Sequence, residues 1–371
     1  MSQETYRKLI SGENGGVAVA VLRFFLRVVA AFYGLVIALR NRLYDKGWRS
    51  SYAVTPAGLV TSDRTQATVP VISIGNITVG GTGKTPMVIW LCNFLQAKDI
   101  NCAILTRGYK ATKGKQSDEP AVLVRNCPGA ALVVNPDRLA GALEVVKRHH
   151  AQVLIMDDGF QHRRLHRDVD IVTIDATLPF GFNRLLPAGL LREPITALKR
   201  AHAAVITRCD LVSQDNLAKL AETISRINPN IVIARTIHAP VCAMTAGDRQ
   251  IPLEQLRGRK VYAFCGIANP DAFLATIGRL GANLVGSKIY DDHHNYTARD
   301  VSRIYADAAQ SGAEMILATE KDYNKIGLPD NASDLVLAYL AVKLRFVSGQ
   351  DQTTQLIERS LAGKIRGKRT A

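Results

Sequence analysis

The feature that most constrains this chain is a short apolar run that leads directly into a glycine-rich turn. Residues 71–75 read VISIG, and residues 80–85 read GGTGKT. A strand followed by glycines at the start of a helix lets backbone N–H groups converge on phosphate oxygens. Lys84 would then reach the β- and γ-phosphates of a nucleotide, and the Thr85 hydroxyl would ligate Mg²⁺. The segment therefore predicts a phosphate-binding loop within an α/β fold.

The loop departs from the usual spacing at one position. Thr78 occupies the place where the G-x-x-x-x-G-K-[ST] pattern has its first glycine. The alternative is an ordinary strand-to-helix turn with a surface lysine, but few such turns carry this run of glycines after an apolar strand. We therefore expect the loop to bind nucleotide phosphates through four residues besides Lys84 and Thr85: Gly80, Gly81, Thr82 and Gly83.

A second motif places two carboxylates after an apolar run. Residues 153–156 read VLIM and lead into Asp157 and Asp158, followed by GFQH at 159–162. Open α/β sheets bind ligands at the carboxyl ends of their strands, and enzymes with a phosphate-binding loop hold Mg²⁺ through an acidic residue there. The predicted metal ligands are accordingly Thr85 and Asp157 or Asp158, with the carboxylate bound directly or through water. A solvated acidic turn is the alternative interpretation.

The alternation of short β-branched runs with helical patterns past Pro56 predicts the fold. We expect an α/β protein with a mostly parallel sheet flanked by helices, of the P-loop NTPase type. The predicted strands of this part are 69–74, 103–106, 131–134, 153–156, 170–174 and 203–207. A second set, predicted to form a smaller α/β domain, comprises 261–264, 284–289, 314–318 and 335–340. The predicted divisions are an N-terminal helical segment at 1–50, a core at 51–240 and the smaller domain at 241–371.

The N-terminal segment 17–39 is the most apolar stretch of the chain. Arg23 and Arg27 interrupt it and leave only residues 28–39 free of charge, which is short for a bilayer of ~30 Å. A basic and aromatic cluster follows at 40–49, as suits a headgroup layer. We expect a membrane-associated helix lying at the interface, with a buried core helix and a true span as alternatives.

Charge and cysteine usage limit the partners. The chain has 47 Lys and Arg against 32 Asp and Glu, a net charge of +15, which favours anionic partners such as nucleotides or phospholipid headgroups. Its six cysteines form no C-x-x-C pair, so neither a zinc site nor a disulfide framework is predicted. Aromatic residues make up only 6%, and the clearest basic and aromatic cluster, at 40–49, adjoins the apolar N-terminal segment, which argues against a nucleic-acid partner.

Three further groups are candidates whose roles the residues alone leave open. Asp118, in the sequence SDEP at 117–120, is either a catalytic base or an exposed loop acid. The run DDHH at 291–294 is either a metal site or a polar loop. Arg184 and Arg192 either clamp a phosphate or cap a helix.

Several of these segments occur together in one known family. The chain resembles the tetraacyldisaccharide 4'-kinases, the lipid A 4'-kinase family, in four segments that follow in the same order: 75–86, 107–109, 118–120 and 157–162. Further matching segments are 185–189 with 192–194, 264–270, 292–294 and 319–322. The resemblance extends from the N-terminal helix to about residue 325.

This resemblance implies a function. It implies ATP-dependent phosphorylation of the 4'-hydroxyl of a tetraacyldisaccharide 1-phosphate, giving lipid IVA in lipopolysaccharide synthesis, with ATP and Mg²⁺ as cofactors. It implies that Asp118 activates the acceptor and is paired with His293. It further implies that Lys84 and Thr85 serve phosphate and Mg²⁺, and that Asp157, Asp158 and Gln161 shape the metal site. We expect Lys84 to be catalytic, and Gln161 and Arg192 to contact the nucleotide as well. The protein would act at the cytoplasmic face of the bacterial inner membrane, attached to the phospholipid surface. We expect it to act as a monomer.

Two other classes share the phosphate-binding loop. A GTPase or metallochaperone usually carries an Asn-Lys-x-Asp element after a late strand, whereas this chain has Thr207, Arg208, Cys209 and Asp210 there. A nucleic-acid-dependent ATPase would need aromatic and basic residues side by side. Both are less consistent with the sequence than a lipid kinase.

Overall fold

A computed structural model describes residues 3–12, 15–63, 65–108, 118–292, 294–326 and 335–365. The chain divides into two compact units. The larger unit contains Glu4–Ile237 and the chain from Arg345, and the smaller unit contains His238–Leu344. The predicted division at residue 240 lies close to the observed one. The predicted smaller domain, 241–371, differs from the structure at its end, because the chain from Arg345 packs with the larger unit.

The larger unit is built on a parallel sheet. Its strands run in the order β9-β8-β7-β3-β6-β4-β5, and every printed pairing among them is parallel. A short antiparallel hairpin, β1 with β2, precedes them. The strands are β1 (Ala53–Val54), β2 (Val60–Thr61), β3 (Val71–Gly75), β4 (Cys102–Thr106), β5 (Ala131–Val134), β6 (Val153–Asp157), β7 (Val169–Asp175), β8 (Ala203–Thr207) and β9 (Val232–Thr245).

Helices cover this sheet because each crossover between parallel strands needs one. Apolar side chains of α5 pack with β4 and β6 in one core cluster, and those of α6 pack with β7 and β8 in another. All residues of β3, β4, β6, β7 and β8 are buried, which explains their mostly apolar sequences. The helices up to this point in the chain are α1 (Gln3–Ser11), α2 (Val17–Asp45), α3 (Lys84–Gln96), α4 (Asp118–Asn126), α5 (Arg138–His149) and α6 (Gln214–Ile227).

The smaller unit has its own parallel sheet in the order β12-β11-β13-β14, and β10 pairs antiparallel with the end of β9. The elements are β10 (Gln250–Pro252), β11 (Lys260–Cys265), α7 (Pro270–Arg279), β12 (Asn283–Ile289), α8 (Ala298–Gln310), β13 (Met315–Thr319), α9 (Glu320–Tyr323) and β14 (Val336–Ser348). This unit confirms the predicted second set of strands. Short 3₁₀ turns occur at Gly181–Asn183, Ile195–Arg200, Cys209–Leu211, Ala246–Asp248 and Leu253–Leu256.

The last helix, α10 (Gln350–Leu361), returns to the larger unit and lies beside α3. The rings of Trp90 on α3 and Phe346 are 4.7 Å apart between centroids, and Lys98 pairs with Glu358 at 2.7 Å. The sequence-based prediction assigned this segment to the smaller domain, because its few apolar residues do not indicate which unit they pack against.

Helix α2 is 29 residues long and keeps most of its apolar side chains exposed. By length and apolar composition alone it is able to cross a membrane. One face nevertheless contacts protein: the Tyr33 hydroxyl donates to the Arg192 carbonyl at 2.8 Å, and the Asn41 amide donates to Glu193 Oε2 at 3.0 Å. The exposed large side chains along it are Val17, Val21, Leu22, Phe24, Phe25, Val28, Val29, Phe32, Leu35, Val36 and Leu39.

Candidate active site

The glycine-rich loop lies between β3 and α3, as the sequence predicts. Gly83 caps the N-terminus of α3 with φ +88°, and Gly80 has φ +120°, so both have backbone conformations that L side chains rarely adopt. Gly75, at the end of β3, has no room for a Cβ atom, which would lie 2.7 Å from the Phe160 backbone nitrogen. The loop therefore starts a helix with its backbone N–H groups available at the carboxyl edge of the sheet.

Threonines of the neighbouring strands fix the loop from beneath. The Thr173 hydroxyl donates to the Gly75 carbonyl at 3.2 Å and lies 2.7 Å from the Thr82 hydroxyl. The Thr207 hydroxyl donates to the Thr82 carbonyl at 2.9 Å. The predicted nucleotide-binding residue Thr82 is thus 4% exposed, and its hydroxyl anchors the loop. Any contact that Thr82 makes with phosphate would come from its backbone.

Asp158 joins two cations at this edge. Its carboxylate oxygens both lie 3.0 Å from Arg192 Nη1, and Oδ1 lies 3.5 Å from Lys84 Nζ. Burial acts to raise the pKa of this carboxyl, but Lys84 and Arg192 outweigh burial and lower the pKa to about 2. Asp158 also has φ +50°, an uncommon backbone conformation for a residue other than glycine. The structure thus brings together Lys84, Asp158 and Arg192, three of the predicted site residues.

Asp157 lies deeper than Asp158. It ends β6 opposite Ile74 of β3 and is 3% exposed. The Thr106 hydroxyl donates to its Oδ2 at 3.4 Å, and Arg138 Nη2 donates to its carbonyl at 3.3 Å. The two adjacent carboxylates therefore differ. Asp158 pairs with two cations, whereas Asp157 is buried at the end of β6, beside the strand β3 that leads into the glycine-rich loop.

Arg138 is a site residue that the sequence analysis missed. It is 3% exposed at the start of α5, and burial lowers the pKa of its guanidinium although Asp157 and Asp158 act in the opposite direction. An arginine in the first turn of a helix after a strand is ordinarily a surface residue, so the only signal was its position at the carboxyl edge of β5. It places positive charge beneath Asp157.

Gln161, predicted to bind nucleotide, contacts the loop rather than pointing away from it. Its Nε2 donates to the Asn76 carbonyl at 2.8 Å, and its own carbonyl accepts from Arg40 of α2. The side chain therefore holds the segment between β3 and the glycines. Its predicted contact with nucleotide stays a prediction.

Residues 184–194, which we call the strap, back the glycine-rich loop. The Val79 amide donates to the Leu190 carbonyl at 2.7 Å, and the Arg192 amide donates to the Ile77 carbonyl at 2.8 Å. On its other side the strap contacts α2 through Arg192 and Glu193, and Arg200 pairs with Glu193 at 2.8 Å. Of the two arginines predicted as phosphate clamps or helix caps, Arg192 reaches the site whereas Arg184 is exposed near α2.

A further ion pair links the carboxyl ends of the neighbouring strands β7 and β8. Arg208, after β8, has φ +55° and pairs with Asp175, which ends β7; the Thr177 hydroxyl also donates to Asp175 at 2.8 Å. These residues occupy the position where guanine-binding proteins have their Asn-Lys-x-Asp element. Here Arg208 is bound to Asp175, and Asp210 is exposed.

The structure describes only part of the predicted acceptor-activating pair, Asp118 and His293. Asp118 begins α4, which follows β4, but its side chain is outside the described residues, and so is His293. The neighbouring His294 lies 3.2 Å from Asp300 through Nε2, and Asp292 pairs with Lys321 at 2.9 Å. Within the described ranges no three His, Cys, Asp or Glu side chains form a group able to hold a metal ion. The pairing of Asp118 with His293 stays a prediction.

Comparison with known proteins identifies relatives along nearly the whole chain. The family profile described as LpxK, tetraacyldisaccharide-1-P 4'-kinase, matches residues 22–362. A tetraacyldisaccharide 4'-kinase from Anaeromyxobacter sp. (strain Fw109-5) is 36% identical over 343 residues, covering 88% of this chain and 91% of the relative. One from Geobacter sulfurreducens is 37% identical over 339 residues, covering 86% and 89%.

A solved structure supports the same assignment. The crystal structure of LpxK from Aquifex aeolicus in complex with ATP is 28% identical, with a TM-score of 0.67, and the match covers 92% of this chain and 99% of that one. The expected fold, a mostly parallel sheet flanked by helices with a second α/β unit, is confirmed by this likeness. The chain therefore belongs to the LpxK family of tetraacyldisaccharide-1-P 4'-kinases.

Proposed function

We propose that the protein transfers the γ-phosphoryl group of ATP to the 4'-hydroxyl of a tetraacyldisaccharide 1-phosphate, in the synthesis of lipid A. The observation that carries the proposal is the cluster of Lys84, Asp158 and Arg192 around a glycine-rich helix N-terminus. Phosphoryl transfer passes through a loose transition state, so catalysis consists mainly of positioning and charge neutralisation. Two cations and a row of backbone N–H groups supply both at one edge of the sheet.

In this proposal Asp158 sets the positions of the two cations before ATP binds. Because Asp158 pairs with both Lys84 and Arg192, the conformations of both side chains are fixed before ATP binds. The triphosphate would then accept hydrogen bonds from groups that are already oriented, which lowers the entropy lost on binding. The low pKa of Asp158 keeps it ionised at any pH at which the enzyme works.

The oxygen donors at this edge fit Mg²⁺, a hard cation that prefers carboxylate, hydroxyl and phosphate oxygens. Thr85 opens α3 directly after Lys84, and the buried Asp157 ends the adjacent strand β6. These two residues are the proposed direct or water-mediated ligands, with Asp158 beside them. When bound, Mg²⁺ would supply further neutralisation of charge on the phosphates.

Activation of the acceptor hydroxyl is assigned to Asp118, with His293 as the residue that orients it. An aspartate with an ordinary pKa near ~3.9 is too weak a base to deprotonate an alcohol in the ground state, so it would accept the proton late in the transfer. Asp118 is suited to this role by its place at the start of α4, after the carboxyl end of β4. The combination Asp118→Asn with His293→Gln should be no slower than the slower single variant if the two residues act as one unit.

Helix α2 supports attachment to a membrane. Its length of 29 residues corresponds to roughly 44 Å, and the face opposite Tyr33 and Asn41 is apolar and exposed. A helix with one face on protein and the other apolar suits the interface of a bilayer. We place the protein on the cytoplasmic side of the inner membrane, where ATP is available, as a monomer attached by this helix.

The experiment that tests the proposal measures the fate of labelled γ-phosphate. Wild-type protein is incubated with ATP and the tetraacyldisaccharide 1-phosphate in mixed micelles, next to an acceptor that lacks the 4'-hydroxyl. We expect label in the first lipid and none in the second. Label in both lipids would contradict the 4'-position, and label in neither lipid would contradict a lipid kinase.

A further inference from the structure

Helix α2 has one face on protein, and that face approaches the strap closely. Its buried and half-buried residues recur mostly every three or four positions, as on one side of an α-helix. They are Val19, Arg23, Leu26, Ala30, Tyr33, Gly34, Ile37, Arg40, Asn41, Leu43 and Tyr44. A Cβ atom at Gly34 would lie only 2.8 Å from Leu185 Cδ1 of the strap. Because glycine destabilises the interior of a helix, its presence here indicates that the α2 backbone must come close to the strap.

Both main-chain polar groups of Arg192 in the strap are hydrogen-bonded. The Arg192 amide donates to the Ile77 carbonyl at 2.8 Å, in the segment that leads into the glycine-rich loop. The Arg192 carbonyl accepts from the Tyr33 hydroxyl of α2, also at 2.8 Å. The side chain that pairs with Asp158 at 3.0 Å therefore extends from a backbone that is fixed by the loop on one side and by α2 on the other.

The next residue of the strap is held by α2 as well. Glu193 is fully buried, and its Oε1 accepts from Arg200 at 2.8 Å while its Oε2 accepts from the Asn41 amide of α2 at 3.0 Å. A buried carboxylate needs such donors, because leaving one oxygen without a partner costs free energy. The two donors fix Glu193, and with it the chain immediately after Arg192.

The end of α2 also contacts the turn that carries Asp158. Arg40 donates to the Gln161 carbonyl, and Arg163 Nη1 donates to the Asn41 carbonyl at 3.1 Å. One helix is therefore bound to both of the segments whose charges meet at the nucleotide site, namely the strap and the turn after β6.

We propose that Tyr33 and Asn41 of α2 are positioning residues that hold Arg192 in place for phosphate transfer. Tyr33 fixes the Arg192 carbonyl, and Asn41 fixes the adjacent Glu193 side chain. Without these contacts the strap would have to be ordered when ATP binds, which would weaken binding. This inference rests on the proposed function, and it gives α2 a second role beside membrane attachment.

The test is a double-mutant cycle on ATP binding. The Kd of ATP is measured for the full chain in neutral detergent micelles, for the wild type, Tyr33→Phe, Arg192→Gln and the variant that combines them. Tyr6→Phe is the matched control, because the Tyr6 hydroxyl of α1 donates to another strap carbonyl, that of Pro187, at 2.7 Å. Thermal melting of each variant measures its stability separately.

We expect Tyr33→Phe to raise the Kd of ATP by about three- to tenfold, as for the loss of one hydrogen bond, and Asn41→Leu to do the same. Tyr6→Phe should change the Kd by less than about twofold. In the Arg192→Gln background, Tyr33→Phe should weaken ATP binding no further, because the side chain that it positions is absent. In the transfer assay, Tyr33→Phe should raise the KM for ATP and leave the KM for the lipid acceptor unchanged.

A wild-type Kd for Tyr33→Phe would overturn the proposal even if the melting temperature fell, because the hydrogen bond would then serve stability alone. Equal weakening by Tyr6→Phe would also overturn it, since the effect would belong to the strap as a whole. So would further weakening when Tyr33→Phe is added to Arg192→Gln, because Tyr33 would then act by another route. These outcomes leave the proposed function intact, whereas a wild type that binds no ATP would contradict the proposed function and this inference together.

Discussion

The carboxyl edges of the two parallel sheets look alike in sequence and differ in structure. Both end in turns rich in charged residues. In the larger unit, Lys84 and Arg192 share one carboxylate, Asp158, beside a helix N-terminus. In the smaller unit, Asp322 accepts hydrogen bonds from the Gly266 amide at 2.9 Å and the Thr319 hydroxyl at 2.6 Å, and is fully buried.

The two edges differ in how their charged side chains are paired. The larger edge has three cations, Lys84, Arg192 and the buried Arg138, against two carboxylates, Asp157 and Asp158, so it is suited to a polyanion. The smaller edge uses its charges within its own turns: Lys321 pairs with Asp292, and Asp322 ties two turns together. Charged residues at the carboxyl ends of strands therefore indicate a ligand site only when their pairing leaves a net charge.

The largest expected effect concerns Lys84. Lys84→Met removes the cation at the start of α3 and should lower kcat for phosphate transfer by about 10²–10³-fold, because a positioned donor to a developing charge is lost. The measurement is labelled γ-phosphate transfer, with folding checked by thermal melting. Lys321→Met in the smaller unit is the matched variant, and a comparable loss of kcat there would break the comparison between the two edges.

A smaller effect, on stability, is expected at Asp322. Asp322→Ala leaves the Gly266 amide and the Thr319 hydroxyl without their buried acceptor and should lower the free energy of unfolding by about 2–3 kcal/mol. Asp322→Asn, which keeps one acceptor oxygen, should lose less. Chemical denaturation measures the loss, and ATP titration should give the wild-type Kd. A stable Asp322→Ala protein that no longer binds ATP would show that the smaller edge belongs to the nucleotide site.

The positive character of the larger edge has a consequence for its response to pH. Burial, together with Arg138 and Arg167, lowers the pKa of His162 to about 4, from an ordinary value near ~6.5. Because the unfolded chain binds this proton more readily, stability is full above about pH 6.5 and falls as the pH drops towards 4. We expect His162 to account for about 2 kcal/mol of the loss between pH 7.5 and pH 5.

Urea unfolding of the wild type and of His162→Gln at both pH values measures this contribution. His149→Gln, at an exposed histidine, controls for the loss of a histidine as such. An identical pH dependence of the wild type and His162→Gln would contradict the lowered pKa of His162.

The smallest expected effect is at the surface of the larger unit. Lys98 pairs with Glu358 at 2.7 Å, but both side chains are more than 40% exposed. Lys98→Met should change the free energy of unfolding by less than about 0.5 kcal/mol, since solvent screens such pairs. Lys84 begins α3 and Lys98 lies just beyond the end of that helix, so the contrast separates a surface lysine from a site lysine. A large loss on Lys98→Met would mean that α10 depends on this pair rather than on Phe346.

Most strands were predictable because parallel strands covered by helices are short runs rich in apolar and β-branched residues. Residues 131–134 and 203–207 were predicted with the observed bounds, and the glycine-rich loop was found from its sequence alone. Strand β9 was not predicted at all, since its pattern mixes polar and apolar residues. The return of α10 to the larger unit was missed as well, because a short amphipathic helix does not encode which surface it covers.

The candidate site was predictable only as a set of residues. The sequence indicated Lys84, Asp158 and Arg192 separately, but Arg192 reaches Asp158 only because the strap pairs with residues 77–79. The same holds for Thr173 and Thr207, which look like ordinary strand residues until the glycine-rich loop is seen above them. The spacing of residues within a motif does not predict contacts between segments that are far apart in the chain.

The most direct test of the central claim follows ADP and phosphorylated lipid in the same reaction. Wild-type protein, ATP, Mg²⁺ and the tetraacyldisaccharide 1-phosphate are combined in micelles, and the phosphorylated lipid is analysed by ³¹P NMR. We expect one new phosphomonoester for each ADP formed, with Lys84→Met forming neither product. ADP formation without a new lipid phosphate would contradict the claim that this edge of the sheet phosphorylates a lipid.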